Sequence, residues 1–165
     1  MVGLLQGKVV VITGSSSGIG RLIAFTCASQ GADLVLHHLG TTQTQTDVQT
    51  LQEEINELGN GSKAVAIGED LLSDGAAHKI VSKAVESFGE INVLVNNAGI
   101  CVFQSYDKVS MALLETHLAV NFKALYALTQ ATSEQMKAQG KGGSIVSIAS
   151  LAATLGARNL SQRSK

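Results

Sequence analysis

Proline is missing altogether from the 165 residues, where average usage of about 5% would supply roughly eight. The absence is either chance or the mark of a missing loop-rich region. Cysteine is nearly missing too, at two residues, Cys27 and Cys101. That count excludes a disulfide-dense secreted scaffold and leaves too few ligands for a cysteine zinc cluster. No apolar run approaches the ~20 residues of a membrane span, and Met1 to Lys8 holds none long enough for a signal peptide. Neither sign of charge dominates. Twelve Lys and Arg stand against thirteen Asp and Glu, for a net charge of −1. A basic nucleic-acid binder and an acidic tail protein are both disfavoured. The expected setting is reducing and cytoplasmic, with no nucleic-acid or membrane partner. What the chain has in excess is glycine, 17 residues, about a tenth of the chain against a usual ~7%. Backbone approach therefore matters somewhere.

Short apolar runs alternate with amphipathic stretches. Val9 to Ile12 is β-branched and continuous, which suits a strand buried on both faces. Ile19, Leu22, Ile23 and Ala24 recur at helical spacing until Gly31. Leu34 to Leu36 predicts a second strand, and the Gln/Thr-rich stretch Thr41 to Thr46 a polar loop. Asp47 is the expected cap of a helix with Val48, Leu51, Ile55 and Leu58 on its apolar face. Ala64 to Ile67 predicts a third strand. Asp74 would cap a helix presenting Ala77, Ile80, Val81, Ala84, Val85 and Phe88. Ile91 to Val95 predicts a fourth strand, a long helix runs from about Ser110 to Gly140, and Ile145 to Ile148 predicts a fifth strand. This order implies an α/β fold, a doubly wound parallel sheet of about five strands with helices on both faces. One domain is expected over residues 1–165.

The first strand runs straight into Thr13-Gly14-Ser15-Ser16-Ser17-Gly18-Ile19-Gly20, where a helix starts. Glycines let backbone N–H groups approach a pyrophosphate with no Cβ in the way. The helix N-terminus then meets the anion with unsatisfied donors and a favourable dipole. Position after strand one and before helix one is the context that dinucleotide binding requires. An ordinary glycine-rich turn is the plainer reading. No Gly-Lys-Ser/Thr follows, so this is not a Walker loop.

With that motif the sequence resembles the short-chain dehydrogenase/reductase family, and the likeness continues along almost the whole chain. Asp70, with Leu71 beside it, follows strand three, where the family places an acid against the adenine ring. Asn96-Asn97-Ala98-Gly99 matches the motif beside the cofactor. Asn121 matches the helix asparagine of the catalytic tetrad, and Ser150 its catalytic serine. The resemblance implies a Rossmann-type fold that binds NAD(P) through Gly14, Ser15, Ser16, Ser17, Gly18, Ile19, Gly20, Asp70, Leu71, Asn97, Ala98 and Gly99. No acid ends strand two, where one would favour NAD. His37, His38 and nearby hydroxyls stand there, and Arg21 follows the glycines. NADP is the expected cofactor, with NAD possible. His37 and His38 could equally be plain surface residues, and no metal site is expected of them.

The family's proton donor is a tyrosine followed four residues later by a lysine, on the helix after strand five. Tyr106 and Tyr126 both precede Ser150. Ser161 and Lys165 keep the spacing, with serine in place of tyrosine; counting forward from Ser150 instead puts the tyrosine position at or near Arg163. A serine hydroxyl is far less acidic than a phenol, whose reference pKa is about 10, and an arginine is no acid at ordinary pH. Family members typically run to roughly 250 residues, still one plausible domain. The chain is thus expected to lack the C-terminal part of the usual fold, to expose strand five as an edge, and to be impaired or inactive. The family's role is an NADP(H)-dependent oxidoreductase that moves hydride between nicotinamide and a ketone or secondary alcohol, with Asn121, Ser150 and Lys165 as catalytic candidates. A small carbonyl or alcohol is the implied substrate, and a full-length parent could form a homo-oligomer. The alternatives are a non-catalytic nucleotide-binding protein and a fragment without activity.

Overall fold

A computed structural model describes residues 3–150. Five strands form one parallel sheet: β1 (Val9–Ile12), β2 (Asp33–His38), β3 (Ala64–Gly68), β4 (Val93–Asn96) and β5 (Ser144–Ser147). Their order across the sheet is β3-β2-β1-β4-β5. All four ladders are parallel, with Ile12 level with Leu36 on one side and Val95 on the other. The order reverses at β1, whose neighbours are β2 and β4. In open α/β sheets a ligand crevice opens beyond the carboxyl ends of the strands at such a switch point.

The helices divide between the two faces. On one, α1 (Gly18–Ser29) and α2 (Thr42–Glu57) send Ala24, Ala28, Val48, Leu51 and Ile55 onto Val10, Ile12, Leu34 and Leu36. On the other, Ile80 and Ala84 of α3 (Ala76–Phe88) and Leu128 and Met136 of α5 (Leu125–Ala138) pack on Val11, Val35 and Leu94. Strand side chains alternate between faces, so neighbours such as Val10 and Val11 serve different cores. This explains why the strands read as unbroken apolar runs. No helix among the described residues is long and apolar enough to cross a membrane.

Several boundaries differ from the sequence reading. Helix α2 begins at Thr42, not after Asp47, so the Gln/Thr stretch is helix rather than loop. Thr41 is the cap: its Oγ1 accepts from Thr44 N at 3.2 Å, and Gln43 reaches Asp47 one turn on at 2.8 Å. Helix α3 is preceded by Gly75 in the left-handed region, not capped by Asp74; a turn from Ser73 O to Ala76 N sets its start. Strand β2 extends two residues further than predicted and takes in His37 and His38, paired with Ile67 and Gly68 of β3. The long helix divides into α4 (Met111–Leu118), a π-type segment Ala119–Ala124, and α5. Among the described residues β5 is the last strand on its side of the sheet, and all four of its residues are exposed.

Candidate functional site

A cavity of about 430 Å³ lies beyond the carboxyl ends of β1, β2 and β4, within the range of ligand sites. Gly14, Ser16, Ser17 and Ile19 form one wall, and Asn97, Ala98 and Gly99 another. His37, Leu39, Thr44, Asp70 and Leu71 close the β2–β3 side, and Ile100 and Val120 the last. Ten residues singled out from the sequence therefore meet around one space.

The walls are tied by side chains that receive and give main-chain hydrogen bonds. Thr13, fully buried, donates from Oγ1 to Val95 O at 3.4 Å and accepts from Asn97 N and Ala98 N at 2.9 Å each. Asn97 Nδ2 donates back to Thr13 O at 2.9 Å and Gly14 O at 3.1 Å. The loops after β1 and β4 are thus bolted together, with little room between them. A Cβ on Gly14 would lie 3.0 Å from Ala98 Cα, and one on Gly20 2.3 Å from Gly14 O and 2.4 Å from Asn97 Nδ2. Gly14 also has φ +65°, a conformation that suits glycine. Bare backbone is required at both positions.

The wall nearest α1 suits an anion. Ser17 is the residue before the helix, in extended conformation, and its side chain makes no capping bond. No acidic residue lies in the first turn. The first N–H groups of a helix have no partner within it, and they carry the positive end of the dipole. Ser15 differs from its neighbours: it is buried, and its N and Oγ both donate to His37 O, at 2.9 and 3.0 Å. Its hydroxyl is turned into β2 and not toward the cavity.

Neither histidine is a surface residue; His37 is 3% exposed and His38 1%. Their rings lie apart, as alternation in a strand requires. His37 Nδ1 accepts from Gly14 N at 3.3 Å and its Nε2 donates to Glu69 O at 2.8 Å. His38 Nδ1 accepts from Gly40 N at 3.2 Å and meets Thr44 Oγ1 at 3.1 Å. Burial holds both imidazoles below the ordinary histidine value. Both nitrogens of the His37 ring engage main chain, whereas the His38 ring uses Nδ1 and leaves its buried Nε2 without a partner. Arg21 is likewise engaged, with Asp47 O at 2.6 Å and Glu54 at 2.7 Å on α2.

Asn121 sits in the π-type segment, next to Val120 in the cavity wall. Its Nδ2 donates to Ile100 O at 2.9 Å, and its Oδ1 accepts from Ile100 N at 2.8 Å. One turn earlier, His117 Nε2 accepts from Val102 N at 3.1 Å. A π-type turn often marks a functional site, and here it aims an amide at the loop after β4. Asn96 does not tie strand ends together as Asn97 does; its Nδ2 reaches Thr129 on α5 at 2.9 Å. Ser150 is exposed, three residues beyond β5 and outside the cavity lining. Ser161, Arg163 and Lys165 lie outside the described residues. The sequence reading passed over Thr13 as a bolt and His117 as a clamp. The only local signal was a threonine ending a buried strand.

Comparison with known proteins agrees with this geometry. Residues 8–162 match the family described as short chain dehydrogenase, and the chain belongs to that family. An L-rhamnose 1-dehydrogenase (NAD(P)(+)) of Azotobacter vinelandii is 40% identical over 93% of this chain and 59% of its own length. An L-rhamnose-1-dehydrogenase of Scheffersomyces stipitis is 41% identical over 94% and 60%. A short chain dehydrogenase from Burkholderia cenocepacia, solved in complex with NADP, superposes with a TM-score of 0.84 at 34% identity, covering 94% of this chain and 60% of that one. These neighbours share the doubly wound Rossmann-type sheet. The chain spans about 60% of the length of the relatives it matches.

Proposed function

We propose that this chain is the nicotinamide-dinucleotide-binding part of an oxidoreductase, with NADP(H) preferred and NAD(H) admitted, and that residues 1–165 serve as that single domain. The observation that carries the reading is the cavity at the switch point, walled by a glycine- and serine-rich turn and a helix N-terminus. The residues fit the group, because the α1 N-terminus at the cavity has no capping side chain and no acidic residue in its first turn. The first turn of α1, with Ser16 and Ser17, would hold the pyrophosphate, and Asp70 and Leu71 would flank the adenine. Asn97 to Gly99 would form the floor. The nicotinamide, when bound, supplies or receives the hydride.

The protein's part in such a transfer is position and proton movement. Asn121 holds the Ile100 backbone at the cavity's edge. Ser150 is the hydroxyl proposed to hydrogen-bond a substrate carbonyl, and Lys165 the cation nearest the expected position of the family's lysine. Both tyrosines precede Ser150, so the phenolic acid of the family is not provided by this segment. Nucleotide binding is accordingly the function assigned to the chain itself, in a cytoplasmic setting. The relatives at 40% and 41% identity are L-rhamnose dehydrogenases, which makes a sugar hydroxyl the substrate class to try first.

The test is a fluorescence titration of the purified chain with NADPH and with NADH. Saturable binding, tighter for NADPH and lost in Gly14→Val, is expected. No ketone reduction or sugar oxidation above background is expected from this chain. Absence of binding by both nucleotides would overturn the reading, and robust turnover would overturn the division of labour.

A further inference from the structure

We infer that His37 is the positioning residue of the nucleotide loop and that it works only as the neutral imidazole with hydrogen on Nε2. Protonation would then release the loop and weaken dinucleotide binding. This rests on the nucleotide-binding reading above.

The ring bridges three strand ends. It accepts the Gly14 amide on Nδ1 at 3.3 Å, donates from Nε2 to Glu69 O at 2.8 Å, and lines the cavity. The main chain of the same residue accepts both donors of Ser15. Gly14 and Ser15, the first two residues of the loop, therefore hang on one residue of β2. The Glu69 carbonyl can only accept, and the Gly14 amide can only donate. Those two partners fix the tautomer. A second proton would have to go on Nδ1, where it would face the Gly14 N–H. The loop cannot slide away from that clash, because Gly14 already abuts Ala98 and Asn97.

The charged surroundings bear on the direction of the effect. His38 neighbours the ring on β2, and Glu69 and Asp70 stand at the exit of β3. Lys79 of α3 engages the Glu69 carboxylate at 2.9 Å. The residues of the β1 and β4 loops that touch the cavity carry no charge. Burial outweighs the two carboxylates and holds the ring neutral to lower pH than an ordinary histidine. The loop is therefore intact at neutral pH and opens only in acid.

Two measurements test this. The first is an NMR pH titration of the ¹⁵N-labelled chain without ligand. It should show His37 as the Nε2–H tautomer, with the Gly14 amide moving at the same midpoint as the ring, below the ordinary value of about 6.5. The second is calorimetric binding of NADP⁺ and of NAD⁺ from pH 8 to pH 5. Affinity for both should fall by about tenfold per pH unit below that midpoint. A shared limb excludes titration of the 2′-phosphate as its source. His37→Asn keeps an acceptor near Gly14 but cannot titrate; its affinity should be weaker at neutral pH and flat in acid. His37→Phe, with no acceptor, should bind more weakly still. An Nδ1–H tautomer, a Gly14 amide indifferent to the ring, an acid limb retained in His37→Asn, or an affinity that rises in acid would each overturn the inference. If neither nucleotide binds at any pH, the function reading fails, and the Gly14 titration alone decides the loop coupling.

Discussion

Replacing Gly20 by alanine should damage both the fold and the nucleotide site. Gly20 lies in the first turn of α1 with its α-carbon pressed on the β1 loop. The added Cβ would sit 2.3 Å from Gly14 O and 2.4 Å from Asn97 Nδ2. Backbone cannot rotate out of the way as a side chain can, so either α1 lifts or Asn97 is expelled. Overpacking of this kind costs about 1–3 kcal/mol. Expelling Asn97 also removes its bonds to Thr13 O and Gly14 O, at about 1 kcal/mol each. The total, about 3–5 kcal/mol, is a large fraction of a typical domain stability of about 5–15 kcal/mol. For a chain of this size it corresponds to a fall in Tm of roughly 6–20 °C. Gly18→Ala is the internal control. Gly18 has φ +56° and open space where its Cβ would go, so only the left-handed backbone is penalised, at about 1–2 kcal/mol. Thermal unfolding by circular dichroism and NADPH titration of both variants give the comparison. Gly20→Ala should lose nucleotide binding even where it remains folded, and Gly18→Ala should lose less on both counts. Equal Tm values, or a Gly20→Ala protein that binds as well as Gly18→Ala, would refute the close-approach reasoning.

Three further outcomes are expected. Burial lowers the folded-state values of His37 and His38, so the unfolded chain takes up protons first as pH falls. Stability should be complete above the unfolded value of about 6.5 and decline below it, by about 1.4 kcal/mol per pH unit for each histidine, until the folded value is passed; a urea midpoint unchanged between pH 7.5 and 5.5 would contradict this. Asn121→Ala removes the reciprocal pair with Ile100, worth about 1–2 kcal/mol. Amide exchange at Ile100 should quicken by about tenfold while Leu34 in the core is unaffected; unchanged protection at Ile100 would show the pair to be idle. Val146→Lys, on the exposed edge strand β5, should reduce self-association, read by sedimentation velocity; a variant that aggregates as readily as the parent would place the sticky surface elsewhere.

Much of this fold could be read from residue order because its signals are local. Five apolar runs separated by helical periodicity leave few options once short connections and right-handed crossovers are required. The errors fall where local signals compete. At Thr41 to Thr46, polarity suggested a loop, yet threonine and glutamine side chains bond within one turn and start a helix. At 119–124 the apolar period ran on smoothly through a π-type segment, because one extra residue per turn barely disturbs a helical pattern. His37 and His38 could be read as phosphate ligands or as plain surface residues. They are covered because Gly68 in β3 gives His38 room, a Cβ there lying 2.9 Å from its ring.

The site divides along the same line. Gly14 and Gly20 were legible because what matters there is the volume they do not occupy, and a missing side chain is stated by the sequence itself. Thr13, Asn97 and His37 act through partners 23 to 85 positions away, and a one-dimensional reading cannot show which main-chain group each will meet. The sequence offered His37 as a phosphate ligand and could not show the main-chain partners its ring has. An imidazole at the end of β2 has two nitrogens, and the parallel register with β3 together with the turn after β1 engages both. The chemistry of the residue type was right, since histidine there does recognise a donor and an acceptor, but they belong to the protein. Discrimination of the cofactor's 2′ position must then rest on groups the rings leave free. Thr44 lines the cavity at the start of α2, and no acidic residue lies in that helix's first turn. A hydroxyl and a helix N-terminus tolerate a ribose hydroxyl or a phosphate alike. A carboxylate at the same place would repel a 2′-phosphate, and the proposed preference for NADP rests on its absence from that turn.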